Sequence, residues 1–304
     1  MRGVVLAALL GAGCQARAPG IDEQAQVVCA RGETVAGIDV SHHEGAIDWA
    51  RVAGAGVGFA VIKATQGVTF VDPLFADNWE QAGRAGLVRG AYHYFRPEDD
   101  PAAQADFLLA TAGPPAYGDL PLAIDLETAS GLPADAVVAR ARTFLARLAE
   151  RTGRLPLVYT SRAFFTGALG GPAGFERYPL WAASWQASCP SIPDAPWRDW
   201  VLWQSSSTGA VAGIAGAVDL DRFNGSLAEL RAFVAAPAGG PDGGEDGAGA
   251  GGPGPDGGAA DREAPGGGCR ASGGAGQPAG FTSLLALAAL CVVVARRRLQ
   301  PPCP

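Results

Sequence analysis

Between Val35 and Val234, short apolar runs alternate with stretches of helical periodicity, and this alternation limits the folds open to the chain. The clearest helical stretch is PADAVVARARTFLARLAERTG, with apolar residues three and four apart and Gly153 as a stop signal. The candidate strands are VAGIDV, GFAVIKA, GAYHYF, PLAIDL, LPLVYT, PLWAAS, WVLWQS and AVDLDRF. This order predicts βα units with a largely parallel sheet, and about eight strands favour closure into a barrel.

Two carboxylates, Asp125 and Glu127, interrupt the fourth apolar run, PLAIDLET. Because a strand turns residues two apart to the same face, these two side chains should point together. Catalytic groups of βα barrels gather at the C-terminal ends of the strands. Asp39 lies near the end of the first run and Asp219 lies in the last. We therefore expect these four acids to converge on one cleft.

Helix capping is the alternative interpretation of an isolated acid. Carboxylates at turns or helix starts accept free N–H groups, and this explains Asp48, Asp72, Asp77 and Asp135. For Asp39 alone, capping explains the residue as well as catalysis does. Asp221 is either an alternate for Asp219 or a loop residue. The Asp125/Glu127 pair favours function, because burying two like charges together is costly.

Seven segments in order resemble the glycoside hydrolase family 25 lysozymes, which cut peptidoglycan. They are GIDVSHHEGAIDW, FAVIKATQG, DPLFADNWEQAGRAGLVRGAYHYF, AIDLE, LWAASW, LWQSS and GAVDLDRFNG. The resemblance runs from about Val35 to Phe233. It implies an α/β fold, a flattened, modified TIM-like (β/α) barrel of about eight strands that forms a single catalytic domain. It also implies hydrolysis of the β-1,4 bond from N-acetylmuramic acid to N-acetylglucosamine.

Matching the family's motifs residue by residue implies catalytic roles for Glu127, Asp125, Asp39 and Asp219. Glu127 is expected to be the general acid. Side chains two apart on a strand are about 6.5 to 7 Å apart, which does not choose between retention and inversion. We favour retention with the substrate's 2-acetamido group as nucleophile and Asp125 in support, because both wall sugars carry that group. Asp39 and Asp219 would hold the acetamido group or tune the charge.

Two positions depart from the family's pattern, and both lie in segments that carry the resemblance. Gln66 stands where the family often has Glu, and Glu44 stands where it often has Gln. Neither residue is among the four acids assigned to catalysis. The departures therefore do not exclude activity, but they predict a shifted cleft charge and pH optimum.

Aromatic residues in or just after the strands are candidates for stacking on sugar rings. Since strand aromatics more often belong to a core, Tyr94 and Trp185 are the first choices, followed by Tyr92 and Tyr159. The histidines have no metal-ligand spacing, so we expect no metal and no cofactor. The net charge of -7 argues against nucleic acid as a partner. Peptidoglycan is the expected partner, and we expect a monomer.

Two other functions remain open from the sequence. One is a non-catalytic cell-wall-binding module that kept the cleft but lost turnover. The other is a chitin-type N-acetylglucosaminyl glycosidase, which shares the acetamido chemistry. The intact set of four acids argues against the binding module. Comparing products from lactyl-bearing and plain sugars would distinguish the chitin-type glycosidase from a peptidoglycan hydrolase.

Outside the predicted catalytic barrel at 35–234, the sequence predicts targeting and linker segments. Residues 1–20 resemble a signal peptide, and whether Cys14 is a lipidation site stays open. Residues 235–280, rich in Gly, Pro and Asp, predict a disordered linker. Residues 281–298 join a short apolar segment to an arginine cluster, as in a membrane anchor or a surface-sorting signal with Cys269 before it.

These segments predict an exported protein of the cell envelope or surface, either membrane-anchored by a transmembrane helix or secreted after the tail is processed. Four of the six cysteines lie in the end segments. Cys29 and Cys189 are the pair near the globular part, and an oxidising compartment would permit a bridge between them. The sequence leaves their pairing open.

Overall fold

The computed structural model describes residues 25–185 and 188–235. The predicted signal peptide at 1–20, the linker beyond residue 235 and the apolar segment at 281–298 lie outside these residues. Among the helices that the structure describes, none is long and apolar enough to cross a membrane.

The strands follow the apolar runs of the sequence closely, and each of the eight predicted runs contains one strand of the barrel. Their bounds are β1 (Gln26–Val27), β2 (Val35–Val40), β3 (Phe59–Gln66), β4 (Phe70–Val71), β5 (Val88–Tyr94), β6 (Ala123–Asp125), β7 (Leu157–Ser161), β8 (Leu180–Ala183), β9 (Ser191–Ile192), β10 (Leu202–Gly209) and β11 (Val218–Phe223).

Eight of these strands close into a barrel. Seven of them, β2, β3, β5, β6, β7, β8 and β10, pair in parallel with their neighbours in that order. The last, β11, lies antiparallel between β10 and β2 and completes the ring. The short strand β4 pairs with β3 beside the barrel. The predicted α/β barrel of about eight strands is confirmed, with one strand reversed.

Five α-helices pack around the barrel among the described residues, and the last of them was not predicted from the sequence. They are α1 (Trp49–Gly54), α2 (Phe75–Arg84), α3 (Pro101–Ala112), α4 (Ala134–Thr152) and α5 (Leu227–Ala235). The Asp48 side chain accepts the Arg51 N–H at the start of α1, which is the capping role expected from the sequence. Gly153 ends α4 in the left-handed conformation with φ 66°.

Period-two alternation divides the strand residues between two apolar layers. On β3, Phe59 and Val61 face the barrel interior, whereas Ala60 and Ile62 pack against the helices. Gly37 on β2 makes room for the Phe59 ring, because a Cβ at this position would lie 2.2 Å from a ring atom. The interior is therefore filled by apolar side chains towards one end, and polar side chains follow at the C-terminal ends of the parallel strands.

A disulfide joins Cys29 to Cys189, 160 residues apart in the sequence. Next to it, β1 and β9 form an antiparallel pair, and the Val28 N–H donates to the Pro190 carbonyl. These contacts fix the segment before the first barrel strand against the loop after β8. The pairing that the sequence left open is thus formed.

Candidate active site

A cleft of about 330 Å³ opens at the C-terminal ends of the parallel strands. All eight side chains selected from the sequence line this one cleft, namely Asp39, Asp125, Glu127, Asp219, Tyr92, Tyr94, Tyr159 and Trp185. Glu44, Lys63, Trp181 and Gln204 complete much of its wall. The cleft is strongly acidic, with Lys63 as the single lysine or arginine among its lining residues.

Asp39 and Asp219 face each other across the antiparallel pair of β2 and β11, where they are register partners. Like charges directly opposite each other destabilise a sheet unless a donor or a proton lies between them. Gln204 of β10 supplies the donor. Its Nε2 group lies 2.8 Å from Oδ2 of Asp39 and 3.2 Å from Oδ2 of Asp219.

The oxygen of the Gln204 amide also has hydrogen-bond partners. Its Oε1 atom accepts from the Tyr159 hydroxyl at 2.9 Å and from the Trp185 indole at 2.7 Å. One amide therefore ties two acids to two aromatic side chains of the cleft. This network determines which way the amide is oriented, because its oxygen faces donors and its nitrogen faces carboxylates.

Asp125 and Glu127 reach the cleft in different ways. Asp125 is the last residue of β6 and is only 8% exposed, whereas Glu127 follows the strand and is exposed. The expectation that both carboxylates are buried in one strand is wrong. Leu126 between them is held by the Tyr159 carbonyl and the Thr160 hydroxyl, so the next residue emerges at the barrel rim.

Burial and crowding set the protonation of these acids. Burial, with the nearby charge of Glu127, raises the pKa of Asp125 well above its usual value. Burial, with Asp221 and Asp219 close by, does the same to the pKa of Asp39. Burial and the charge of Glu44 raise the pKa of Asp219 to about 6. The cleft therefore holds protons on some of its carboxyls near neutral pH.

Lys63 is a buried cation on the wall of the cleft. Its ammonium group donates to Oε1 of Gln66 at 2.9 Å and lies 5.0 Å from the centre of the Tyr94 ring. Burial lowers its pKa, and the charges of Asp125 and other acids oppose this shift. In return, the Lys63 charge lowers the pKa of Asp125 against the effect of burial. Lys63 thus favours an ionised Asp125.

The four aromatic residues divide into a floor and a rim. Tyr92 and Tyr159 pack edge-on against Trp181, at centroid distances of 6.1 and 4.8 Å, and form the floor. Trp185 is 51% exposed at the rim. Tyr94 is half-buried, and burial together with the charges of Glu127 and Asp125 raises its pKa to about 12. Its hydroxyl therefore stays protonated beside Glu127.

Residues 38–214 match the model of the family described as glycosyl hydrolases family 25. The chain belongs to this family. The match includes the segments that supply Asp39, Asp125, Glu127 and Gln204 to the cleft, and it ends just before β11.

Relatives in family 25 resemble the chain over most of their own length. Lysozyme M1 of Streptomyces globisporus is 38% identical over 212 residues, covering 66% of this chain and 71% of that protein. An N,O-diacetylmuramidase of Chalaropsis sp is 33% identical, covering 65% of this chain and 98% of that protein. A crystal structure of a bacterial lysozyme from Streptomyces coelicolor superposes with a TM-score of 0.64 at 37% identity, covering 66% and 97% of the two chains.

Sequence reasoning did not assign a role to Gln204 or Lys63, although both lay in the segments used to recognise family 25. Both are polar residues at positions that period two turns into the barrel, after Leu202 and Val61. That signal would have identified them. It was missed because neither residue is an acid or an aromatic.

The two departures from the family's pattern both bear on the cleft. Gln66 accepts the hydrogen bond of Lys63 without adding a negative charge. Glu44 accepts the Ser41 N–H at 2.7 Å, and its charge contributes to the raised pKa of Asp219. The shift in cleft charge and pH optimum expected from these two residues stays a prediction.

Proposed function

We propose that this protein is a muramidase that hydrolyses the β-1,4 bond between N-acetylmuramic acid and N-acetylglucosamine in peptidoglycan. The observation that carries this proposal is the acidic cleft at the C-terminal end of a family 25 barrel, where four acids from β2, the end of β6 and β11 meet. Relatives named as lysozyme and N,O-diacetylmuramidase support the same substrate.

Glu127 is the general acid in this proposal. It is exposed at the rim of the cleft, where a glycosidic oxygen can reach it. It donates its proton to the leaving oxygen as the bond from that oxygen to the anomeric carbon breaks. In the second step Glu127 accepts a proton from the water that attacks the same carbon.

Asp125 supports a nucleophile that belongs to the substrate. Its Oδ1 atom is buried and has no hydrogen-bond partner among the described residues. Such an atom is suited to accept the N–H of the 2-acetamido group, whose carbonyl oxygen then forms the bond to the anomeric carbon. The carboxylate also stabilises the positive charge that develops on that group, and the Lys63 charge favours this ionised form against the burial that raises the pKa of Asp125. The outcome is retention of configuration.

The remaining residues bind and orient the sugar chain. Trp185, which is exposed at the rim, and Tyr94 offer ring faces to the pyranose rings. Tyr92 and Tyr159 shape the floor beneath them. Asp39 and Asp219, both hydrogen-bonded by Gln204, are assigned to hold the acetamido group of the reacting sugar or to tune the charge.

The protein is proposed to work outside the cytoplasm, at the cell surface or in the envelope. The Cys29–Cys189 disulfide supports this location, because such bonds persist in oxidising compartments. The sequence supports a signal peptide at 1–20, a linker at 235–280 and attachment through residues 281–298. Membrane fractionation of cells, before and after removal of residues 281–304, tests the attachment.

The deciding experiment is identification of the products that the purified full chain releases from peptidoglycan. The proposal predicts soluble muropeptides with N-acetylmuramic acid at the reducing end, seen by mass spectrometry after borohydride reduction. Reducing N-acetylglucosamine ends, or faster cleavage of chitin oligomers, would indicate the chitin-type glycosidase. Binding to peptidoglycan without any release would indicate a wall-binding module.

A further inference from the structure

Asp221 is a buried acid next to the cleft, and the mechanism above gives it no role. It lies two residues after Asp219 on β11 and so faces the same side of the sheet. Its register partners are Gly37 on β2 and Gln204 on β10. Gly37 lies two residues before Asp39 on β2, so Asp221 is further from the cleft than Asp39. It is 2% exposed and does not line the cleft.

The two carboxyl oxygens of Asp221 have different surroundings. Oδ1 accepts the Trp181 indole N–H at 2.8 Å. Oδ2 is buried and has no donor among the described residues. Because Gly37, its register partner on β2, has no side chain, the Asp221 carboxyl lies next to the carboxyl of Asp39, and the two are hydrogen-bond partners. Two ionised carboxylates cannot bond to each other, because both only accept, so the contact requires a proton between them.

The charges around the pair also favour a shared proton. The titratable groups facing it are Asp219 on its own strand, Tyr159 from β7 and Tyr92 from β5, and neither acid of the pair forms an ion pair with a described lysine or arginine. Burial raises the pKa of Asp221 to about 7, although the hydrogen bonds with Asp39 and then Trp181 lower it. A pair of acids in such a site keeps one proton through neutral pH.

We propose that Asp221 is a positioning residue that shares one proton with Asp39 and thereby fixes the Asp39 carboxyl against Gln204 at the edge of the cleft. The role in turnover rests on the proposed muramidase function. Loss of the shared proton leaves two adjacent anions on β2 and β11, which repel each other and displace Asp39. Activity should therefore fall at alkaline pH, where the pair loses this proton, because burial and the neighbouring acids raise the pKa of Asp39 well above its usual value.

Asp221→Asn and Asp221→Ala separate the shared proton from a buried charge. Asparagine can accept from Trp181 through its oxygen and donate to Asp39 through its amide, without a proton to lose. Asp221→Asn is expected to stay within about threefold of the native rate at pH 6 and to lose the fall in activity at alkaline pH. Asp221→Ala is expected to lose at least about tenfold in kcat with little change in KM.

Asp119→Asn is the matched control, because Asp119 is also a buried acid but pairs with Arg89 away from the cleft. It should lower the melting temperature and leave the shape of the pH profile unchanged. If Asp221→Asn is folded but as inactive as Asp221→Ala, the buried negative charge itself is needed and the proposal fails. It also fails if Asp221→Asn keeps the native fall in activity at alkaline pH.

A stability measurement tests the shared proton without any turnover. Because the folded-state pKa of Asp221 lies above its unfolded value, native stability should decline as the pH rises from about 4 to about 7. The decline should be smaller for Asp221→Asn, and an unchanged decline would overturn the shared proton. If the native chain releases no muropeptides while this difference is present, the proposed function fails and the proton pair stands.

Discussion

Gln204→Glu is the most informative single change in the cleft, because it alters one atom of the network. The carboxylate would still accept from Tyr159 and Trp185. It would lose the two donated bonds and place a negative oxygen where Nε2 now lies, 2.8 Å from Asp39 and 3.2 Å from Asp219. The structure therefore predicts that Asp39 and Asp219 leave their present positions.

The size of the loss follows from the bonds removed. A hydrogen bond to a charged group contributes about 1.5 to 3 kcal/mol, so two such bonds at the lower value give about 3 kcal/mol. Since each 1.36 kcal/mol is a factor of ten in rate, kcat/KM should fall roughly 100-fold at pH 7. Tyr159→Phe removes one neutral bond of about 1 kcal/mol, so its loss should be only about fivefold.

The assay is the initial rate of reducing-end release at low peptidoglycan concentration, measured at pH 5 and pH 7. At pH 5 the loss in Gln204→Glu should be smaller, because the pKa of Asp219 is about 6 and a protonated carboxyl can act as the missing donor. A rate within threefold of the native rate at pH 7 would refute the assigned role of Gln204. An equal loss at both pH values would refute the electrostatic reason for it.

Three further predictions concern charge and stability. Lys63→Met removes the charge that lowers the pKa of Asp125, so the acidic limb of the activity profile should move to higher pH. An unmoved limb would contradict this. The double change Cys29→Ser with Cys189→Ser should lower the free energy of unfolding by roughly 2 to 5 kcal/mol. Urea unfolding curves that coincide for the variant and the native chain would contradict this. Burial lowers the pKa of His93 to about 4. As the pH falls from 6.5 to 4, the unfolded chain therefore takes up this proton before the folded chain does, and the free energy of unfolding should fall by about 3 kcal/mol. An NMR titration of His93 near pH 6.5 would contradict this prediction.

The barrel could be predicted because each interior strand carries a short apolar run whose length and period are visible in the sequence. The orientation of β11 was not predicted, although the short connection after β10 cannot hold a crossover helix and requires an antiparallel neighbour. This reversal has a functional consequence. It brings Asp219, near the start of its strand, to the same end of the barrel as Asp39, near the end of its strand.

The meeting of the acids in one cleft followed from the motifs, but their environments did not. Period two placed Asp125 and Glu127 on one face, yet nothing in PLAIDLET shows that the strand ends at Asp125 and leaves Glu127 exposed. Asp221 was interpreted as an alternate or loop residue, whereas the register places it inside the sheet beside Gln204. Such contacts depend on which strands become neighbours in the sheet and in which register. Neither could be inferred from the residue pattern of a single sequence.

The central claim is that Glu127 supplies the proton for cleavage of the peptidoglycan chain, and Glu127→Gln tests it most directly. The matched control is Glu150→Gln, an exposed glutamate on α4 outside the cleft. Loss of a general acid reduces rates by about 10² to 10⁴, so Glu127→Gln should release muropeptides at least 100-fold more slowly than the native chain or the control. Its binding to peptidoglycan should be unchanged. A rate above one tenth of the native rate, with the fold intact, would contradict the account.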